Sequence, residues 1–178
     1  MAPTSSLAEL LTSTVRDVPD FPEPGVVFKD LGPLFADPAA FGRVAEALAD
    51  PHAGAVDLVA GIEARGFVVG VAVARVLGVG FVPVRKAGKL PGETVTATYD
   101  LEYGSATLEL QRDAVPAGSS VLLIDDVLAT GGTAAAACEL LEGVGARVRG
   151  VGCVVELGFL DGRFRLRDRT VTSLLTVS

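Results

Sequence analysis

The chain has one histidine, two cysteines and no long apolar run, and each scarcity removes a class of function. His52, alone in an Asp-Pro-His-Ala-Gly turn, leaves no partner for a histidine metal site and none for a Ser-His-Asp triad. Cys138 and Cys153 have neither CxxC spacing nor neighbouring ligand-type histidines, so they read as buried thiols. The longest apolar candidate, 66–74, stops at Arg75, well short of the roughly 18–20 residues that cross a bilayer. No membrane association is expected. The start, MAPTSSLAELLTSTVRD, lacks a basic stretch followed by an apolar block, which sets cytoplasm as the expected location. Basic residues are outnumbered, 15 against 22 acidic, for a net charge of −7. That balance argues against nucleic acid, whose phosphates need a concentrated basic surface. The local exception is Arg65 with Arg85, Lys86 and Lys89 amid turn-forming residues.

What is abundant is apolar sequence, 49% of 178 residues, enough for one globular domain spanning 1–178. Ser6 and Glu9 form a capping box ahead of an opening helix, and Asp37-Pro38 suits the cap of a second whose Phe41, Val44, Ala45 and Leu48 share a face. Segments 57–61, 67–77, 81–85, 106–110, 121–124, 133–141 and 148–155 alternate between strand-like and helix-like patterns. This predicts an α/β fold with a central, mostly parallel sheet flanked by helices. Residues 86–99 show no period and read as a mobile loop.

Residues 121–133, VLLIDDVLATGGT, hold the clearest chemistry. A solid apolar run marks a strand covered on both faces, and ligands bind at the C-terminal ends of such strands. There Asp125 and Asp126 can accept hydrogen bonds from sugar hydroxyls. Ala129, Thr130, Gly131, Gly132 and Thr133 offer amides and hydroxyls where a helix begins, a favourable seat for phosphate. A lone Gly-Gly turn would be an ordinary junction; the thirteen-residue combination points to a phosphorylated ribose.

This string resembles the phosphoribosyl-pyrophosphate signature of the type I phosphoribosyltransferases. FPEPGVVFKDLGPLF at 21–35, GIEARGF at 61–67, VPVRKAGKLPG at 82–92 and YDLEYG at 99–104 are similar to the branch of that family that uses adenine. The resemblance implies the type I fold, with a flexible hood over 87–103. It also implies conversion of adenine and 5-phosphoribosyl 1-pyrophosphate to AMP and pyrophosphate, with Mg²⁺ held mainly by the substrate, in a homodimer. Asp125 and Asp126 would then bind the ribose hydroxyls, and residues 129–133 the 5′-phosphate. Arg65, Arg85, Lys86 and Lys89 would meet the pyrophosphate, with Arg85 acting across the dimer interface. Glu102 would take the purine proton and Tyr103 close the site. Val27 and Lys29 would read the adenine edge by main-chain groups, between apolar walls from Phe28 and Leu157. Lys29 stands where many relatives carry arginine. The same cradle also suits a hypoxanthine, guanine, xanthine or orotate enzyme, or a binding protein without turnover.

Overall fold

The structure, a computed structural model, describes residues 6–100 and 104–178. Helix α1, Leu7–Thr14, starts from the expected capping box, Ser6 accepting from the Glu9 amide and Glu9 from the Ser6 amide. A hairpin follows, β1 Arg16–Pro19 antiparallel to β2 Val27–Asp30, its loop closed by the Gly25 amide on Asp20. After the short α2, Gly32–Ala36, Asp37 caps α3, Pro38–Ala49, through the amides of Ala39 and Ala40 at 2.9 and 3.0 Å. Proline at the first helical position gives up only an amide that the helix cannot use.

The main sheet runs β5–β6–β4–β3–β7–β8–β9, comprising β3 Leu58–Ile62, β4 Gly80–Lys86, β5 Thr94–Asp100, β6 Ser105–Gln111, β7 Ser120–Leu128, β8 Arg147–Leu157 and β9 Val171–Val177. Strands β4, β3, β7, β8 and β9 are parallel, and β6 runs antiparallel to both β4 and β5. Helices α1 to α4, the last spanning Arg65–Leu77, pack on one face around Leu122 and Ile124. Helix α5, Gly132–Gly143, covers the other face around Leu123, Val151 and Cys153. The connections from β3 and β7 therefore leave in opposite directions. A crevice opens between their C-terminal ends, the switch point where α/β sheets bind ligands.

Val121, Leu122, Leu123 and Ile124 are fully buried, as a strand covered on both faces requires. Leu123→Ala is expected to destabilise the protein by about 3 kcal/mol, the typical cost of an apolar truncation plus its cavity. Urea unfolding measures it; a loss below about 1 kcal/mol would show a core able to collapse around the gap.

Two expectations need correction. Residues 94–99 are strand rather than loop, because Val95, Ala97 and Tyr99 alternate toward the core while threonines take the positions between. The sheet also extends beyond 155, to the end of β8 and through β9. Cys138 and Cys153 are unpaired and buried, and burial pushes both thiols up to about 12. His52 is buried in a 3-10 turn beneath Gly150, where burial lowers its pKa. No helix among the described residues is long and apolar enough to cross a membrane.

Candidate phosphoribosyl site

Strand β7 delivers Asp125 and Asp126 to the crevice, and α5 begins six residues later with Gly131, φ +79°, at its cap position. Among the described residues no side chain caps that helix, so its first-turn amides remain for a ligand. A cavity of about 60 Å³ is lined by Asp125, Ala129, Thr130, Gly131 and Thr133, which the sequence had grouped. The Thr133 hydroxyl is 3.2 Å from the Tyr99 hydroxyl, so β5 touches the cradle directly.

Helix α4 starts in the same crevice and brings Arg65 across it. Its Nε lies 2.7 Å from Asp126 Oδ2, its Nη1 donates to the Lys29 carbonyl at 3.2 Å, and its guanidinium stacks 4.6 Å from the Phe28 ring centre. The contact with Asp126 is an ion pair without hydrogen-bond alignment, and Oδ2, buried, accepts no hydrogen bond among the described residues. Burial, followed by the charge of Asp126, pushes the Asp125 carboxyl well above the usual carboxylate range, with Arg65 pulling the other way. Two adjacent acids are thus kept close to one arginine. A Cβ on Gly66 would stand 3.0 Å from Asp125 Oδ1, so glycine at 66 lets α4 approach the acids.

The basic residues at the end of β4 and in the turn after it are held by Glu63, which nothing in its local sequence singles out as their partner. Glu63 accepts from Arg85 Nε and Nη2 at 3.3 and 3.2 Å, from Lys89 Nζ at 2.8 Å and from the Lys86 amide at 3.0 Å. Burial opposes its charge, but the bonds from Lys89, Arg85 and the Lys86 amide outweigh it and hold the carboxyl at about 2. A buried acid, Glu109 of β6, accepts from the amides of Lys89 and Leu90, both at 2.6 Å. The turn carrying Lys89 is therefore fixed from beneath, while the heads of Arg85 and Lys89 stay partly open to an anion. Since the folded pKa of Glu63 lies below its ordinary 4.5, the stability it confers is complete above that value and drains as pH falls toward 2. Glu63→Gln should flatten that part of an acid-unfolding curve; an unchanged curve would mean the ion pairs contribute nothing.

A cavity of about 510 Å³ is lined by Val27, Lys29, Leu157, Phe159 and Leu160. It brings together three of the four expected base-contacting residues. Phe28, the fourth, packs edge-on against Phe21 at 5.0 Å and under Arg65. The Lys29 ammonium is turned to Asp17 at 2.6 Å. Glu102 and Tyr103 lie outside the described residues. Among those described, no three His, Cys, Asp or Glu side chains gather as a metal site.

Residues 33–170 match the phosphoribosyl transferase domain. The adenine phosphoribosyltransferase of Thermobifida fusca is 54% identical over 175 residues, covering 98% of this chain and 99% of the relative. That of Streptomyces coelicolor is 55% identical over 183 residues, covering 99% and 100%. Among solved structures, adenine phosphoribosyltransferase from Thermoanaerobacter pseudethanolicus superposes with a TM-score of 0.93 at 46% identity, over 97% of this chain and 100% of that one. The Saccharomyces cerevisiae enzyme, complexed with adenine and an imino-altritol bisphosphate, gives 0.90 at 45% identity, over 96% and 99%.

Proposed function

The chain belongs to the phosphoribosyltransferase family, and from that membership we infer that it converts adenine and 5-phosphoribosyl 1-pyrophosphate to AMP and pyrophosphate. Near-full-length identity above 50% to enzymes of that name is the observation that carries this reading.

The purine imidazole nitrogen attacks the anomeric carbon as the bond to pyrophosphate breaks, and the purine proton leaves to Glu102. Positive charge gathers on the ribose and negative charge on the leaving group. Asp125 and Asp126 accept from the ribose hydroxyls and face the positive side. Arg65, Arg85, Lys86 and Lys89 answer the negative side, a task in which fixed charges outperform mobile water. Residues 129–133 hold the 5′-phosphate. Val27 and Lys29 present main-chain groups to the base, with Phe28 and Leu157 as walls. The turn that carries Lys89, together with Tyr103, closes the site and excludes water.

A magnesium ion would arrive on the substrate's phosphate oxygens: the buried Asp126 Oδ2, with no hydrogen-bond partner among the described residues, is ion-paired with Arg65, so the paired acids would orient the hydrated, substrate-held ion rather than ligate it. When bound, that ion neutralises pyrophosphate. One domain, 1–178, acts within a homodimer, for which Val68 and Val71, exposed side by side on α4, supply an apolar face, and Arg85 reaches the partner's site. We place the enzyme in the cytoplasm, whose reducing conditions suit its two unpaired thiols.

The test is incubation with Mg²⁺, phosphoribosyl pyrophosphate and each base in turn, with the nucleotide identified. AMP from adenine is expected. Nucleotide from another base with none from adenine, or no nucleotide where ligand binding is demonstrated, would overturn the reading.

A further inference from the structure

The segment after β8 touches both halves of the site. Leu157, Phe159 and Leu160 line the base cavity, and two residues on, Gly162 lies against the loop between β7 and α5. A Cβ built on Gly162 would stand 2.1 Å from the Ala129 carbonyl oxygen and 3.1 Å from the Gly131 nitrogen. One built on Gly131 would stand 2.2 Å from the Gly162 carbonyl oxygen. Backbone meets backbone here, so no flexible side chain can give way.

The turn is also bolted to the sheet from its other side. Arg163 donates from Nε to Glu156 Oε1 at 2.7 Å and from Nη2 to Glu156 Oε2 at 2.8 Å. It donates again to the Val171 carbonyl and to Ser173 Oγ, both at 2.9 Å, tying β8 and β9 together. Such a bidentate pair on a buried carboxylate fixes orientation as well as charge. Leu166, 2% exposed, anchors the far end of the turn in the core.

We propose that the Gly162–Arg163 turn is a positioning element for the 5′-phosphate loop: Arg163 fixes the turn to the sheet, and Gly162 sets where Ala129 to Gly131 lie. The proposal rests on the phosphoribosyl reading of that loop. A displaced loop misdirects the phosphate-binding amides while leaving the base cavity intact. The defect should therefore follow the ligand's phosphate.

Calorimetric titration with adenosine and with AMP reads this directly, since the two differ only in the phosphate. In the wild type AMP should bind at least about tenfold tighter, the value of a few charge-assisted hydrogen bonds. Gly162→Ala should remove most of that advantage while adenosine affinity stays within about twofold. Arg163→Met adds no atom at the loop and carries the test even if Gly162→Ala fails to fold; it should reduce the advantage by roughly threefold. A merely structural role would weaken both ligands together. That outcome, or folded variants keeping the wild-type ratio, overturns the proposal. A wild type that prefers AMP no more than adenosine would instead overturn the phosphoribosyl reading beneath it.

Discussion

Asp126→Asn is expected to lower kcat/KM for phosphoribosyl pyrophosphate by roughly 10²- to 10³-fold with the fold intact, the scale of losing one charged contact used in the transition state. The residue is 7% exposed and the amide is nearly isosteric, so packing changes little. The charge, however, disappears where the proposed mechanism makes the ribose positive. An amide also confronts Arg65 Nε, now 2.7 Å from Oδ2, with either a neutral oxygen or a second donor. Turnover therefore suffers twice, from the lost carboxylate and from a misplaced arginine. Steady-state kinetics beside a circular dichroism spectrum measure the effect. Activity within about threefold of wild type would remove Asp126 from the ribose contact.

Arg65→Met should be comparably severe, again about 10²- to 10³-fold in kcat/KM, because one guanidinium serves three neighbours and, in the proposed mechanism, the leaving group. It pairs with Asp126, holds the Lys29 carbonyl and covers Phe28, so its loss loosens the packing of β2 against the end of β7. Methionine keeps much of the apolar stem, which isolates the charge. Arg65 also draws the Asp125 carboxyl down against burial and Asp126. Without it, the Asp125 pKa rises further, and the acid limb of the kcat/KM profile should move to higher pH. A carboxyl raised in the folded state makes that state hold more protons than the unfolded chain. Stability thus falls as pH climbs above the unfolded value, and the variant should show this decline extended to higher pH. An unmoved acid limb would mean that Arg65 does not govern the acids.

The parts of this fold that were legible in the sequence are those whose causes are local. Ser6 with Glu9, Asp37 with Pro38, and the unbroken 121–124 run each carry their explanation within a few residues, and the structure places all three as read. The cradle was legible for the same reason, since acids, glycines and helix start are consecutive. Strand β5 was hidden because threonine is polar by composition yet suits an extended backbone, masking the alternation of Val95, Ala97 and Tyr99. Glu63 was hidden by distance: its partners Arg85 and Lys89 lie 22 and 26 residues away, on another strand and turn. The Tyr99 hydroxyl meets Thr133 across 34 residues, and Gly162 reaches Ala129 only through the folded sheet. A signal was present at Glu63, an acid in the turn between Gly61 and Gly66 with cations downstream, but nothing local named its partners.

The central claim is that the β7–α5 crevice seats a phosphoribosyl group with its sugar on the paired acids. A crystal structure with AMP and pyrophosphate tests it most directly. The 5′-phosphate should accept from amides of residues 130–133, the ribose hydroxyls should donate to Asp125 and Asp126, and pyrophosphate should displace Lys89 or Arg85 from Glu63. A phosphate bound away from that loop, or ribose hydroxyls with no carboxylate partner, would contradict it.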